Sequence, residues 1–170
     1  MIALALGLLA VSSTASKQSS THIVRTVCDV PPVEYVGELH SILSQRAIQA
    51  INLAAASDGK LTAELKRLID PTASFSSGSG DVGLPLASGV AGAMALAREM
   101  KADTYRFAVW DGIPTPVEDR CGEEQIEVEF IDTHSDSSFP VTFTFLGGKI
   151  VAAKGWRRLF HSGPLRTEQQ

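Results

Sequence analysis

The sequence has few cysteines, few aromatic residues and no excess of positive charge. Its 170 residues include 2 cysteines, too few for a four-cysteine zinc site or a disulfide-dense scaffold. Because 19 Asp and Glu outnumber 15 Lys and Arg, the formal net charge is −4, and no basic face that would bind nucleic acid is expected. The remaining composition, 44% apolar and 20% charged, is typical of one globular domain.

The apolar run Ile2–Val11 is too short to span a bilayer, which requires about 20 apolar residues. Residues 1–15 carry no charge and end in small residues, a pattern that resembles a secretory signal peptide, although no basic residue follows Met1. A buried N-terminal helix or strand is the alternative. We therefore expect an exported, periplasmic or secreted protein, with a flexible or edge-strand segment at 16–32, one domain at 33–161 and a tail at 162–170.

Export would give the two cysteines a role. In an oxidising compartment Cys28 and Cys121 can pair as a disulfide. The alternative is two unrelated, partly buried thiols.

The first half of the chain has helical periodicity. Apolar residues recur at spacings of three and four between Val33 and Ala56, which predicts a long amphipathic helix. A second, short helix is predicted from Thr62 to Ile69, since Pro71 disfavours helical geometry in the residue before it. The Ser- and Gly-rich stretch 72–88 predicts a loop or irregular strand, and Ala87–Met100 predicts a third, buried helix.

The second half has strand periodicity. Apolar and polar residues alternate in four segments, which are Thr104–Trp110, Gln125–Asp132, Phe139–Phe145 and Lys149–Trp156. The dipeptide Gly147-Gly148 predicts a hairpin between the last two. Helices followed by strands indicate an α+β fold, with three N-terminal helices packed on one face of an antiparallel sheet.

This order of elements resembles the nuclear transport factor two-like superfamily, which includes ketosteroid isomerase, scytalone dehydratase and SnoaL-type cyclases. The matching strings are Ala47–Asp58, Leu68–Phe75, Gly89–Met100 and Phe143–Trp156, so the resemblance covers about Val33 to Phe160. It implies a cystatin-like cone, in which a strongly curved antiparallel sheet wraps around a long helix and encloses an apolar pocket. It also implies a homodimer formed through the sheet.

The catalytic groups of these relatives do not carry over. The resemblance places the isomerase tyrosine near Ala47–Ala50, where there is none, and the isomerase carboxylate near Ser76 and Ser77. Scytalone dehydratase needs a histidine pair in its pocket, and His134 has no matching partner.

The remaining catalytic candidates are Asp132, His134 and Asp81. A histidine flanked by carboxylates can act as a general base, although a solvated polar turn is the alternative interpretation. The histidines outside this turn, His22, His40 and His161, have no metal-ligand spacing, so we expect neither a metal nor a cofactor.

Large side chains of the predicted cone could line its pocket. They are Phe75, Trp110, Phe130, Phe143 and Trp156. The alternative is that they only fill the core or a dimer interface. The sequence thus favours an exported domain that binds a small apolar ligand or a partner protein. A small-molecule lyase or isomerase is the second hypothesis, and a purely structural dimer is the third.

Overall fold

A computed structural model describes residues 27–56, 62–79, 82–108 and 112–159. The expected signal peptide at 1–15, the expected tail at 162–170, Asp81 and Trp110 lie outside these residues. The fold is α+β, as predicted. Its elements are α1 (Val36–Ala56), α2 (Thr62–Leu68), β1 (Ile69–Ser79), β2 (Val82–Pro85), α3 (Gly89–Met100), β3 (Thr104–Phe107), β4 (Glu123–Asp132), β5 (Ser137–Leu146), β6 (Lys149–Trp156) and β7 (Arg158–Leu159). Among the described helices, none combines the length and the apolar character needed to cross a membrane.

Helix α1 buries its apolar stripe, as its periodicity predicts. Leu39, Leu43 and Ala47 are at most 1% exposed and pack toward α3 and the sheet. Ile42, at the border of the stripe, is only half-buried. The helix therefore has a core face and, beside Ile42, an apolar edge that the core does not cover.

The sheet is curved and mixed rather than purely antiparallel. Its strand order is β2-β1-β6-β5-β4-β3, and β7 pairs with the start of β5. Neighbouring strands are antiparallel except β1 and β6, which run parallel. The predicted meander β3 to β6 is present, but the antiparallel prediction misses β1 because its partner comes about 80 residues later in the chain.

Strand β1 falls where the sequence predicts the end of a helix and a loop or irregular strand. Ala73, Phe75 and Ser77 are buried in alternation, although serine and glycine have low strand propensity. Pro71 lies where the register with β6 shifts between Ile69 and Ser74, an irregularity that tolerates a missing N–H donor. Pairing with β6 therefore outweighs local propensity.

The interior between the helices and the sheet is filled by the chain's own side chains. Phe130, Phe143 and Phe145 from the sheet and Leu96 and Met100 from α3 are at most 2% exposed. The rings of Phe130 and Phe143 meet edge to face, with their centres 6.2 Å apart. Where these residues meet, core side chains therefore fill the interior of the predicted cone.

Cys28 and Cys121, which are 93 positions apart in the sequence, form a disulfide with their Cα atoms 5.5 Å apart. Chain-entropy arguments give such a cross-link about 4 to 5 kcal/mol of stabilisation. Next to it, the Asp29 N–H donates to the Gly147 carbonyl, and the Gly147 N–H donates to the Cys121 carbonyl, each at 3.0 Å. The disulfide thus ties the irregular segment before α1 to the β3–β4 connection.

A short ladder extends this tie toward α1. The Val36 N–H donates to the Thr115 carbonyl at 2.9 Å, and the Val117 N–H donates to the Glu34 carbonyl at 3.0 Å. We call the two paired segments, residues 28–36 and 115–121 with their disulfide, the clasp. The clasp positions the start of α1 against the segment that precedes β4.

The β5–β6 hairpin forms at the predicted glycine pair. Gly147 and Gly148 have φ values of 61° and 84°, which suit a two-residue hairpin turn whose central residues both need positive φ. A Cβ atom at position 148 would lie 2.7 Å from the Arg46 side chain, so this turn also packs closely against α1.

Replacing Phe143 with alanine tests the filled interior. We expect the free energy of unfolding to fall by about 3 to 5 kcal/mol, because a fully buried phenylalanine leaves a cavity that the core cannot close. Urea denaturation of the two proteins measures the difference. The matched control is Gln125→Ala on the exposed face of β4, where a change within about 0.5 kcal/mol is expected. Equal losses in both variants would contradict a packed interior.

Candidate functional site

The β4–β5 turn holds the predicted catalytic pair. Asp132 ends β4 and is 8% exposed. Its Oδ1 accepts hydrogen bonds from the backbone N–H groups of His134 at 3.0 Å and Ser135 at 3.2 Å, and its Oδ2 accepts from the Ser135 hydroxyl at 2.6 Å. Asp136 completes the turn with a φ of 47°. The Asp132 carboxylate therefore stabilises the turn by accepting hydrogen bonds from residues of the same turn.

Asp103, which the sequence analysis does not single out, meets this turn from the α3–β3 connection. Its carboxylate accepts hydrogen bonds from the Thr133 N–H and hydroxyl, and lies 3.0 Å from the His134 Nδ1. The His134 side chain is 88% exposed. The histidine is thus flanked by Asp132, a neighbour in sequence, and by Asp103, which comes from elsewhere in the chain, and it lies in a solvated turn.

The hydrogen bonds lower the basicity of both carboxylates. The Ser135 hydroxyl and two backbone N–H groups hold the pKa of Asp132 below its ordinary value, against a smaller opposing effect of burial. The Thr133 hydroxyl does the same for the pKa of Asp103. A carboxylate with a lowered pKa and occupied oxygens is a poor general base at neutral pH. This turn is therefore better suited to structural support than to proton transfer.

Asp103, Asp132 and His134 form the one group of potential metal ligands among the described residues, with one ligand atom of each within 4.8 Å of the others. Two carboxylate oxygens and an imidazole nitrogen suit a divalent cation in principle. The same carboxylates already accept hydrogen bonds within the turn. The carboxylate oxygens that would bind a metal are therefore already engaged in hydrogen bonds with residues of the turn.

The four described aromatic residues that were predicted to line a pocket divide between the two faces of the sheet. Phe75, Phe130 and Phe143 are buried on the inner face, which packs against the helices. Trp156 pairs with Gly78 and lies on the opposite face, because side chains alternate along β6. A side chain at Gly78 would collide with the Trp156 ring. These residues therefore do not converge on one cavity.

An apolar groove, which we call the α1 groove, lies elsewhere, between the first half of α1 and the connection before β4. Its volume is about 570 Å³. Mostly apolar groups line it, from Val33, Tyr35, Gly37, Ile42, Gly112 and Pro114, with polar groups from Glu38, Ser41 and Thr115. Sequence reasoning missed this groove because its walls are about 70 residues apart in the chain and come together through tertiary contacts such as those of the clasp.

Among the lining residues that the structure describes, Glu38 carries the one charged side chain. One of its carboxylate oxygens, Oε2, accepts a hydrogen bond from the Glu34 N–H at 3.2 Å, within the first turn of the helix. The remaining acceptor positions of the carboxylate are available to a ligand. The described part of the groove therefore combines apolar walls with a negative hydrogen-bond acceptor at Glu38.

Two other concavities are more polar in character. One, of about 660 Å³, lies between α1 and the edge strand β3 and is bordered by the amides of Gln45, Gln49 and Asn52. The other, of about 390 Å³, lies beside the β1–β2 hairpin and carries Glu99 and Arg157. Asp132 and His134 border neither of them, nor the α1 groove.

Solved structures similar to this chain are found at low sequence identity. No protein-family model matches the chain. No curated protein matches it either.

Among solved structures, an NTF-2-like protein of unknown function from Silicibacter pomeroyi is 16% identical, with a TM-score of 0.42 over 69% of this chain and 96% of that protein. A protein of unknown function with a cystatin-like fold from Methylobium petroleophilum is 12% identical, with a TM-score of 0.40 over 75% and 82%. A designed NTF2-fold protein is also 12% identical, with a TM-score of 0.39 over 69% and 85%.

Acid titration tests the structural role of the β4–β5 turn. Because folding lowers the pKa of Asp132, its carboxylate stabilises the fold above the ordinary pKa of an aspartate, and this stabilisation is lost as the pH falls through the folded-state value. Asp132→Asn should therefore lower the thermal midpoint at pH 7 and flatten its dependence on pH below about 4. Asp136→Asn is the control, since it removes a carboxylate from the same turn without touching the hydrogen bonds of Asp132, and it should change the thermal midpoint at pH 7 much less. Parallel melting curves of wild type and Asp132→Asn at every pH would contradict this role.

Proposed function

We propose that the protein is an exported binding domain that holds a small, mostly apolar molecule in the α1 groove. The observation that carries this proposal is the groove itself, which combines a volume of about 570 Å³ with mainly apolar walls. Sites for organic ligands commonly enclose about 300 to 1,000 Å³ and have few, well-placed polar groups.

The polar groups of the groove define the class of ligand. Glu38 favours a molecule that presents one N–H or O–H donor, or an amine, to the carboxylate. It disfavours an acidic molecule, because two negative charges would meet in an apolar groove. The ligand class is therefore uncharged or basic, with a largely hydrocarbon body.

The lyase or isomerase hypothesis has less support. Asp132 and His134 border a solvated turn, and their hydrogen bonds stay within that turn and with Asp103. A catalytic acid or base must reach the bound substrate, directly or through one water. The proposal is therefore binding without a catalytic role for these two residues.

Two observations support export. Residues 1–15 resemble a signal peptide, and Cys28 and Cys121 are joined in a disulfide. Disulfides persist mainly in oxidising compartments. Sequencing the N-terminus of the protein recovered from a bacterial periplasm or culture medium tests this. A chain that starts near residue 16 supports export, whereas an intact Met1 in a cytoplasmic fraction would contradict it.

We also propose a homodimer formed through the outer face of the sheet. Thr142 on β5 lies between Glu127 on β4 and Lys154 on β6 in one cross-strand row. In a two-fold pair, the acidic end of this row can meet the basic end of the second copy. Light scattering should give twice the chain mass at low salt, and Lys154→Glu should shift it toward the monomer. A monomer at all salt and protein concentrations would contradict the dimer.

Binding of an uncharged fluorophore tests the groove. N-phenyl-1-naphthylamine is apolar, carries one N–H donor and brightens in apolar surroundings. We expect saturable binding to the wild type and a roughly tenfold weaker affinity for Ile42→Asn, because a polar side chain replaces apolar contact in the groove. The matched control is Val82→Asn on β2, an exposed site away from the groove that should leave affinity unchanged.

A second fluorophore tests the ligand class. 1-Anilinonaphthalene-8-sulfonate has the same aromatic frame with an added sulfonate, so it should bind more weakly than the uncharged probe. Glu38→Gln should reduce the difference in affinity between the two probes, because it removes the negative charge that repels the sulfonate. Equal affinities of wild type and Ile42→Asn for the uncharged probe, or no saturable binding, would reject the α1 groove as the site.

A further inference from the structure

We propose that the α1 groove is gated by redox state, because the Cys28–Cys121 disulfide holds one of its walls in place. Opening the bond with a dithiol weakens ligand binding while the core stays folded. This inference rests on the proposed function, since the site it regulates is the α1 groove.

The two walls of the groove have different support. The helix wall consists of Gly37, Ser41 and Ile42, on the same helix as Leu39 and Leu43. Those two leucines are at most 1% exposed and anchor the helix in the core. This wall therefore persists as long as the protein is folded.

The clasp wall itself is largely exposed, although its first segment is anchored in the core by Val30, which is 5% exposed. The wall is formed by Val33 and Tyr35 on that segment, and by Thr115 and the neighbouring Pro114 on the other side. These residues lie outside the helices and the seven-stranded sheet, and only Val33 among them is even half-buried. The position of this wall thus depends on the links between the two segments.

Only the disulfide links these segments covalently within the clasp. It joins Cys28, five residues before Val33, to Cys121, six residues after Thr115. The ladder adds the hydrogen bonds from Val36 and Val117 described above. A two-stranded pairing of this length is marginal in water, since its hydrogen bonds compete with those to solvent. Reduction therefore leaves Pro114 and Thr115 held to the first segment by the ladder, so that this part of the clasp wall can move away from the helix wall.

The bond is placed so that it can open and close again. Both cysteines are half-buried rather than enclosed, so a small dithiol can reach them. Reduction transfers two electrons and two protons from the dithiol to the sulfur pair, giving two thiols and the oxidised, disulfide form of the reagent. Asp29 and Cys121 both hydrogen-bond to Gly147 through their backbones, which keeps the two thiols close for reoxidation.

Probe titration in two redox states tests the proposal. N-phenyl-1-naphthylamine is titrated into the oxidised chain and into the chain reduced with dithiothreitol. We expect about tenfold weaker binding after reduction, recovery after reoxidation, and an unchanged far-ultraviolet circular dichroism spectrum. The double variant Cys28→Ser/Cys121→Ser should bind weakly with or without dithiothreitol, which controls for effects of the reagent.

The outcomes separate the two proposals. If the oxidised chain does not bind the probe, the proposed function fails. If the oxidised chain binds and the reduced chain binds equally well, the proposed function stands and the redox inference is overturned. Loss of the circular dichroism spectrum on reduction would instead make the disulfide a general support of the fold and also overturn the inference.

A variant that keeps the disulfide gives an independent test. Two glycines inserted between Glu118 and Asp119 lengthen the segment between the ladder and Cys121 without removing the bond. The longer segment should weaken probe binding in the oxidised state. Unchanged affinity would contradict the proposal that the disulfide holds the clasp wall in place.

Amide hydrogen exchange locates the effect. Reduction should speed exchange at Val36 and Val117, whose N–H groups form the ladder, and leave Phe143 in β5 protected. Unchanged exchange at Val117 would overturn the proposal.

Discussion

Packing of α1 and α3 against the inner face of the sheet is the constraint on which the rest of this structure depends. The apolar stripe of α1 can be buried only against a second apolar surface. Apolar and polar residues alternate along β4, β5 and β6, so that one face of the sheet provides this surface. The two surfaces meet through large side chains such as Phe130, Phe143 and Leu96. Because these side chains fill the space between the layers, apolar space for a ligand is left at the border of α1 rather than in the centre.

The position of the groove follows from that constraint. A helix that buries one stripe leaves residues at the border of the stripe half-covered, and Ile42 is such a residue. The clasp lies across this border and converts an exposed apolar edge into a groove with two walls. The disulfide therefore supports both the stability of the fold and the shape of the groove, and this dual role underlies the proposed sensitivity to reduction.

The β4–β5 turn shows how a pattern typical of catalysis can have a structural use. Asp132, His134 and Asp103 lie together, as a catalytic histidine and its carboxylates do. Their hydrogen bonds, however, run to hydroxyls and backbone N–H groups of the turn, and these contacts lower the pKa of both carboxylates. Asp132 and His134 are close in sequence and Asp103 joins them through the fold, but the positions of hydrogen-bond donors and solvent decide whether such groups can exchange protons with a ligand.

The sequence by itself determined the elements whose signals are local. The periodicity of α1 and α3, the alternation of β4 to β6 and the glycine pair at 147–148 follow from residues close together in the chain, so the α+β class and the meander were predictable. Only the tertiary structure decided what depends on distant partners. The parallel pairing of β1 with β6 overrides a weak strand propensity, and alternation along β6 places Trp156 on the opposite face from Phe143. The α1 groove likewise arises where residues 33–42 meet residues 112–115, because hydrogen bonds and a disulfide close a loop that no local pattern encodes.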